Sequence, residues 1–152
     1  MPQKGEKAPP FSLPSTRGEF QLEETLKEGR LILVFYTEDN TPTCNQELIS
    51  FKEEYRTLRE LGAQVVAISA DSLESHRELE RRLGGLPFSL AADINLEVAQ
   101  LYGVADDAGR RSHRAVFVVD TDGTIAHHIP WYQPGNASQF LEVFTALGLE
   151  QE

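Results

Sequence analysis

The sequence predicts an α/β fold: a central mixed β-sheet flanked by helices, with an N-terminal β-hairpin. Three observations carry that expectation. Two apolar runs, at 31–36 and 63–69, are each followed by residues at helical spacing and read as buried strands with crossover helices. Two more runs, at 115–119 and 124–129, flank Asp-Thr-Asp-Gly, and its Asp122-Gly123 pair is a hairpin signal. Near the N-terminus, short extended pieces at 11–13 and 19–22 surround a Pro- and Gly-containing turn.

Taken in order, the first core strand is Leu-Ile-Leu-Val-Phe-Tyr at 31–36, followed by a polar bend at 37–43. Leu48, Phe51, Tyr55, Leu58 and Leu61 then fall on one face of a helix whose first turn contains Cys44. The β-branched run at 63–69 is the second strand. Asp71 and Glu74 read as a capping box for a helix through Leu73, Leu79 and Leu83, ended by Gly84-Gly85. A short extended piece at 87–90 precedes a short helix at 96–102 that stops at Gly103. The hairpin follows, and an amphipathic helix begins near Ala137 and runs through Phe140, Val143, Phe144 and Leu147. This order is a thioredoxin-like arrangement, in which a reactive cysteine opens the helix after the first core strand. One such domain over residues 1–152 is expected, since a chain of this length buries roughly 70% of its unfolded surface without staples.

Composition narrows the partners. Net charge is −10, from 24 acidic against 14 basic residues, which repels phosphate backbones and argues against nucleic acid. The first ten residues contain no apolar run, and no stretch approaches the ~18 apolar residues of a membrane span. A cytoplasmic protein that does not engage membranes is expected. The single cysteine excludes an internal disulfide. His76, His113, His127 and His128 form no metal-binding pattern, because adjacent residues 127 and 128 point to opposite faces of a strand. No metal or cofactor is expected. Trp131 and Tyr132, beside Pro130 and Pro134, could line a pocket rim, though ordinary loop packing is the simpler reading.

Cys44 is the candidate for chemistry. Unpaired N–H groups and the positive end of the helix dipole favour a thiolate over a thiol in a first helical turn. A free cysteine ionises near pH ~8.5, and such a setting lowers that. The thiolate is the nucleophile.

Four segments in order resemble the peroxiredoxins (the AhpC/TSA family), and most closely their bacterioferritin-comigratory-protein or PrxQ-like branch. The segment at 35–47, Phe-Tyr-Thr-Glu-Asp-Asn-Thr-Pro-Thr-Cys-Asn-Gln-Glu, is similar to the peroxidatic segment, with Thr41, Pro42, Cys44 and Glu47 matching. Gly-Glu-Lys-Ala-Pro-Pro-Phe at 5–11 resembles the family opening. Ser69, Asp71, Ser75 and His76 resemble its Ser-x-Asp…Ser-His segment. Arg114 before an apolar strand and an Asp-x-x-Gly turn completes the set.

The resemblance implies a thiol-dependent, antioxidant peroxidase in which Cys44 attacks hydrogen peroxide or a small organic hydroperoxide and becomes a sulfenic acid. Arg114 would supply a permanent cation at the sulfur, and Thr41 a hydroxyl at the peroxide. Pro42 and Thr43 would support them, the helix-start N–H groups around Thr43 and Cys44 aiding ionisation. Glu47 would support them either by holding an arginine in place or only by favouring the helix N-terminus electrostatically. Taken alone, an arginine before a strand is a surface residue and a threonine before a proline a helix cap. Their register with Cys44 sets them apart. His76 reads as structural.

Two departures shape the expectation. The branch's resolving cysteine would fall at Ile49, so reduction requires an external thiol: thioredoxin, glutathione or another small thiol. The family proline falls at Thr37, which is expected to loosen the pocket or admit water, and Glu38 is expected to raise the thiol pKa if close. Two alternatives stand beside a one-cysteine peroxidase: a peroxide sensor or relay, and a catalytically inactive thioredoxin-fold binding module. A monomer or a small homo-oligomer fits either.

Overall fold

The computed structural model describes residues 1–148. Its order is β1 (Ser12–Ser15), β2 (Gly18–Gln21), α1 (Leu22–Leu26), β3 (Arg30–Phe35), α2 (Pro42–Glu53), α3 (Tyr55–Glu60), β4 (Ala63–Ser69), α4 (Leu73–Arg82), β5 (Ser89–Ala92), α5 (Glu97–Leu101), β6 (Ala115–Val119), β7 (Ile125–Ile129) and α6 (Ala137–Ala146). Among the described residues these strands form one seven-stranded sheet, ordered β2-β1-β5-β4-β3-β6-β7. β3, β4 and β5 are parallel, while β6 and β7 close one edge antiparallel. The N-terminal hairpin joins the other edge through Ser15 and Ala91.

The expected mixed sheet with an N-terminal hairpin is therefore present, with four local differences. The extended piece expected at 87–90 lies two residues later and is a full sheet strand. The single helix expected after Cys44 breaks at Glu54 into α2 and α3. The cap of α4 is Ser72, whose hydroxyl accepts from Ser75 N, and not Asp71. Asp71 instead accepts from Asp39 N and Ser69 Oγ, so its carboxylate is used across the chain and not along it. Finally, α1 follows β2 directly and gave no periodic signal, since five residues hold too few apolar positions to show one.

Strand pleating sorts β3 into two cores. Leu31, Leu33 and Phe35 face Phe20, Leu22, Tyr102 and Phe117 on one side. Ile32, Val34 and Tyr36 face Cys44, Leu48, Phe51 and Phe144 on the other. All six residues at 31–36 are fully buried, as expected of a central strand covered on both faces. Tyr132 packs against Phe51, tying the loop after β7 to α2.

The bend between β3 and α2 carries the site, and a buried polar network holds it. Tyr36 Oη donates to Asp39 Oδ1 at 2.6 Å, and Ser75 Oγ donates to Asp39 Oδ2 at 2.7 Å. His76 Nδ1 lies 2.8 Å from Asp39 Oδ2 and its Nε2 lies 3.0 Å from the Ala91 carbonyl. Both ring nitrogens face oxygen atoms, so the ring is fixed from both sides. Burial alone would raise the Asp39 pKa. The hydrogen bond and charge of His76, with the Tyr36 and Ser75 donors, outweigh it and hold the carboxyl below its ordinary range. His76 thus acts structurally, joining α4 and β5 to the active bend.

Asp39→Asn should destabilise the fold by about 3 kcal/mol at neutral pH, because it strips a buried pair of one partner. A depressed carboxyl stabilises above its unfolded pKa and loses that contribution as pH falls through the folded value. The gap between wild type and Asp39→Asn should therefore narrow below about pH 4, as read by denaturant unfolding across an acid series. A constant gap would show that the Asp39 charge is not what holds the bend.

Candidate active site

Three pieces of chain meet at Cys44: the bend after β3, the first turn of α2, and the entry to β6. α2 begins with Pro42, whose missing N–H costs nothing at a first helical position. Thr41 is the N-cap and accepts from Cys44 N at 3.3 Å. This puts Cys44 in the first turn with its side chain directed into the core, 0% exposed. Arg114 arrives through sheet register. Phe35 pairs with Ala115 across β3 and β6, and the next step outward brings Arg114 beside the bend at Thr37.

The sulfur's polar contacts come from this junction. Thr37 Oγ1 lies 2.9 Å from Cys44 Sγ. Arg114 Nη1 reaches Thr37 Oγ1 at 3.5 Å and Sγ at 3.9 Å. With its lone pair facing the guanidinium, the Thr37 hydroxyl is free to turn its proton toward sulfur. No carboxylate forms an ion pair with Arg114 among the described residues.

Burial opposes ionisation of the Cys44 thiol. It is outweighed by the Glu38 backbone N–H, the Thr37 and Thr41 hydroxyls and the Thr37 backbone N–H, which together hold the thiol below its ordinary pKa. Two expectations change here. The donors that act on the sulfur lie at residues 37, 38 and 41 of the bend, and Cys44 N itself is engaged by Thr41. The Glu38 side chain does not raise the thiol pKa. It turns away to Arg111 at 2.9 Å, leaving its backbone N–H to act on the sulfur.

Thr37 is also not the weak point it was expected to be. With the sulfur fully buried beneath it, this residue closes the pocket where a looser one was anticipated. As a replacement for proline it read as a lost feature, and nothing in the sequence pattern marked it as a donor.

Glu47 lies on the same helix face as Cys44, three residues on, and is 0% exposed. Neither carboxyl oxygen has a hydrogen-bond partner. Burial, reinforced by the Cys44 charge and only partly offset by Arg114, holds its pKa well above the carboxylate range. Its ionised form is therefore disfavoured beside the sulfur. Ile49, where a resolving cysteine would stand, is partly exposed on α2.

Beside the sulfur, Thr37, His113, Arg114, Trp131, Tyr132 and Gln133 line a cleft of about 270 Å³. Both residues fit the pocket-rim reading; Tyr132 is also packed as expected of a loop, while Trp131 is 60% exposed. His127 and His128 do point apart, to Glu142 on α6 and to the ring of Phe117. Among the described residues no cluster of acidic, histidine or cysteine side chains could hold a metal ion.

The AhpC/TSA family model matches residues 4–128. A Coxiella burnetii protein named putative peroxiredoxin bcp is 35% identical over 128 residues, covering 80% of this chain and 84% of that one. A Thermoplasma volcanium peroxiredoxin is 32% identical over 144 residues, covering 91% and 69%. The crystal structure of peroxidoxin BcpB from Mycobacterium tuberculosis superposes with a TM-score of 0.88, at 24% identity, over 99% of this chain and 100% of that one. At that identity it speaks for the fold alone.

Thr37→Val keeps the shape and removes the donor, so the thiol pKa should rise, as followed by the ultraviolet absorbance of the thiolate during a pH titration. An unmoved pKa would place the stabilisation entirely on the backbone. For Glu47, a raised carboxyl pKa gives stability that is full below its unfolded value of about 4.3 and lost as pH rises toward the folded value. Glu47→Gln, neutral at every pH, should therefore gain on wild type in denaturant unfolding as pH climbs from 4 to 8. Parallel pH profiles would mean that Glu47 ionises freely in the fold.

Proposed function

The chain belongs to the AhpC/TSA family and is a thiol-dependent peroxidase, and we propose that it works as a one-cysteine enzyme with Cys44 as its nucleophile. The observation that supports this reading best is a lone, buried cysteine with a lowered pKa, contacted by a threonine hydroxyl and an arginine. The Cys44 thiolate attacks one peroxide oxygen. An S–O bond forms, the O–O bond breaks, and hydroxide or alkoxide leaves and takes up a proton. Sulfur is oxidised by two electrons to the sulfenic acid and the peroxide is reduced by two.

Arg114 is assigned to the growing negative charge on the peroxide oxygens. Its fixed fork of donors suits that role in a dry site better than a lysine point charge would. Thr41 is assigned to the peroxide hydrogen: its hydroxyl accepts there while still bracing the helix cap. Pro42 and Thr43 are assigned to setting the first turn. Glu47 is assigned to keeping the pocket free of a second negative charge.

With one cysteine in the chain, the sulfenic acid is reduced from outside. A first thiol displaces water to give a mixed disulfide, and a second releases Cys44 as thiolate. Thioredoxin, glutathione or another small thiol supplies these electrons. Hydrogen peroxide and small organic hydroperoxides are the substrates, and a cytoplasmic monomer or small homo-oligomer is the working form. Among the described residues no helix is long and apolar enough to cross a membrane.

Stopped-flow oxidation by hydrogen peroxide, followed by steady-state turnover with dithiothreitol, tests the reading. Fast oxidation and sustained turnover are expected, both lost in Cys44→Ser. Full activity in that variant would sink the proposal, and oxidation without turnover would favour a peroxide relay. Arg114→Ala should slow the oxidation at least tenfold, about 1.4 kcal/mol of transition-state stabilisation. An unchanged rate would remove Arg114 from the reacting centre.

A further inference from the structure

We propose that the loop before β6, residues 105–112, is a positioning clamp for the surroundings of the Cys44 sulfur, with the Arg111–Glu38 ion pair as its working contact. The inference rests on the peroxidase reading for its consequence and on separate contacts for its geometry. The bend after β3 is gripped on both sides of Thr37. One residue before it, the Tyr36 carbonyl accepts from the buried Ser112 Oγ at 2.7 Å. One residue after it, the Glu38 carboxylate accepts from Arg111 Nη1 at 2.9 Å. Between these two holds, Thr37 Oγ1 lies 2.9 Å from Sγ. Arg111 does not touch the sulfur; it is a positioning residue that acts through Glu38.

A clamp needs a stiff frame, and this loop is braced from within. Ala105 and Ser112 form a bridge, Asp106 N donates to the Arg111 carbonyl at 2.9 Å, and His113 N donates to the Val104 carbonyl at 2.7 Å. Gly109 takes a φ of 66°, the left-handed conformation that the turn requires. Asp106 Oδ1 accepts from Arg110 N at 2.9 Å and from Arg111 N at 3.4 Å. The backbone that carries Arg111 is therefore tied down where its side chain leaves for Glu38.

The Arg111 and Glu38 side chains are 47% and 44% exposed, and an exposed ion pair contributes little to the stability of a fold. What the pair holds gives it weight. Hydrogen bonds weaken steeply as donor and acceptor move out of line. Restricting residue 38 restricts its own backbone N–H and the Thr37 hydroxyl beside it, two of the donors that favour the thiolate. Arg114 and Glu47, the charged groups that face the sulfur, take no part in this ion pair. The clamp and the direct electrostatics of the site are thus separable by substitution.

A double-mutant cycle on the Cys44 thiol pKa tests the clamp, with the thiolate followed by its ultraviolet absorbance in Arg111→Met, Glu38→Gln and the double variant. Charges acting on the sulfur through space alone give opposite shifts, upward for loss of the cation and downward for loss of the anion. Such shifts add in the double variant. A clamp contributes a further upward shift that either single variant releases in full. The double variant should therefore fall short of the summed single shifts by roughly half a unit, the scale of one exposed ion pair. Additive shifts would overturn the proposal. The same cycle in Thr37→Val, which lacks the hydroxyl, should show a smaller shortfall, and an undiminished one would overturn the action through Thr37. Neither readout needs turnover. A shortfall in a chain that reduces no peroxide would uphold the clamp and sink the peroxidase reading, whereas additive shifts in an active peroxidase would sink the clamp alone.

Discussion

One cation faces two acids at the centre of this molecule. Arg114 stands near both Cys44 and Glu47, neither of which is reached by solvent, and the surroundings favour ionising only the sulfur. The thiol has donors at the bend, from Thr37, Thr41 and the Glu38 backbone, while the carboxyl has none. A buried carboxylate without donors is far costlier than a neutral acid, so the surroundings favour negative charge on sulfur over the carboxyl. Arg114 then has the thiolate as its countercharge, and its remaining donors stay available. The two opposite pKa shifts are therefore one electrostatic arrangement read at two groups.

That arrangement depends on distances set elsewhere. Sheet register fixes the approach of Arg114, because β6 pairs with β3 right up to Phe35 and Ala115. The helix cap fixes Cys44 relative to Thr41. The bend between them has no ladder of its own, and the Tyr36–Asp39–His76 network takes that place by fastening Asp39 to α4 and, through His76, to β5. Ser112 Oγ, donating to the Tyr36 carbonyl at 2.7 Å, holds the same bend to the segment that leads into Arg114. A polar network that is fully satisfied rigidifies its surroundings, which suits a site where a shift of an ångström in Thr37 would leave the sulfur without its donor.

Most of this fold was legible in the sequence, and the parts that were not share a cause. β3, β4, β6 and β7 announce themselves because apolar runs bounded by turns depend on local pattern alone. The bounds of β5 and the break at Glu54 do not, since strand edges and helix breaks are settled by neighbours far along the chain. The same division holds at the site. Cys44, Thr41 and Arg114 were singled out by motif and register, and the fold brings all three within one small volume. Thr37 was read as a loss because the pattern records which residue is absent, not what its replacement can donate. Asp71 was misassigned for a similar reason: a carboxylate next to a helix looks like its cap until Asp39, distant in sequence, is seen to use it.

The single buried cysteine also constrains traffic through the site. A sulfenic acid formed on Cys44 stays beneath Thr37 and Arg114, where the sulfur itself was fully covered. Both residues line the same cleft, so on the proposed reading substrate and reducing thiol would approach across the same rim. A small thiol would then pass Trp131 and His113; a protein reductant would have to present its thiol on a projecting loop, or α2 would have to fray to expose the cysteine. The cap at Thr41 resists that fraying, and it is the same hydroxyl proposed to meet the peroxide. Peroxide selectivity, access of the reductant and stability of the first helical turn are thus linked through a handful of side chains, and a change at one should be felt by the others.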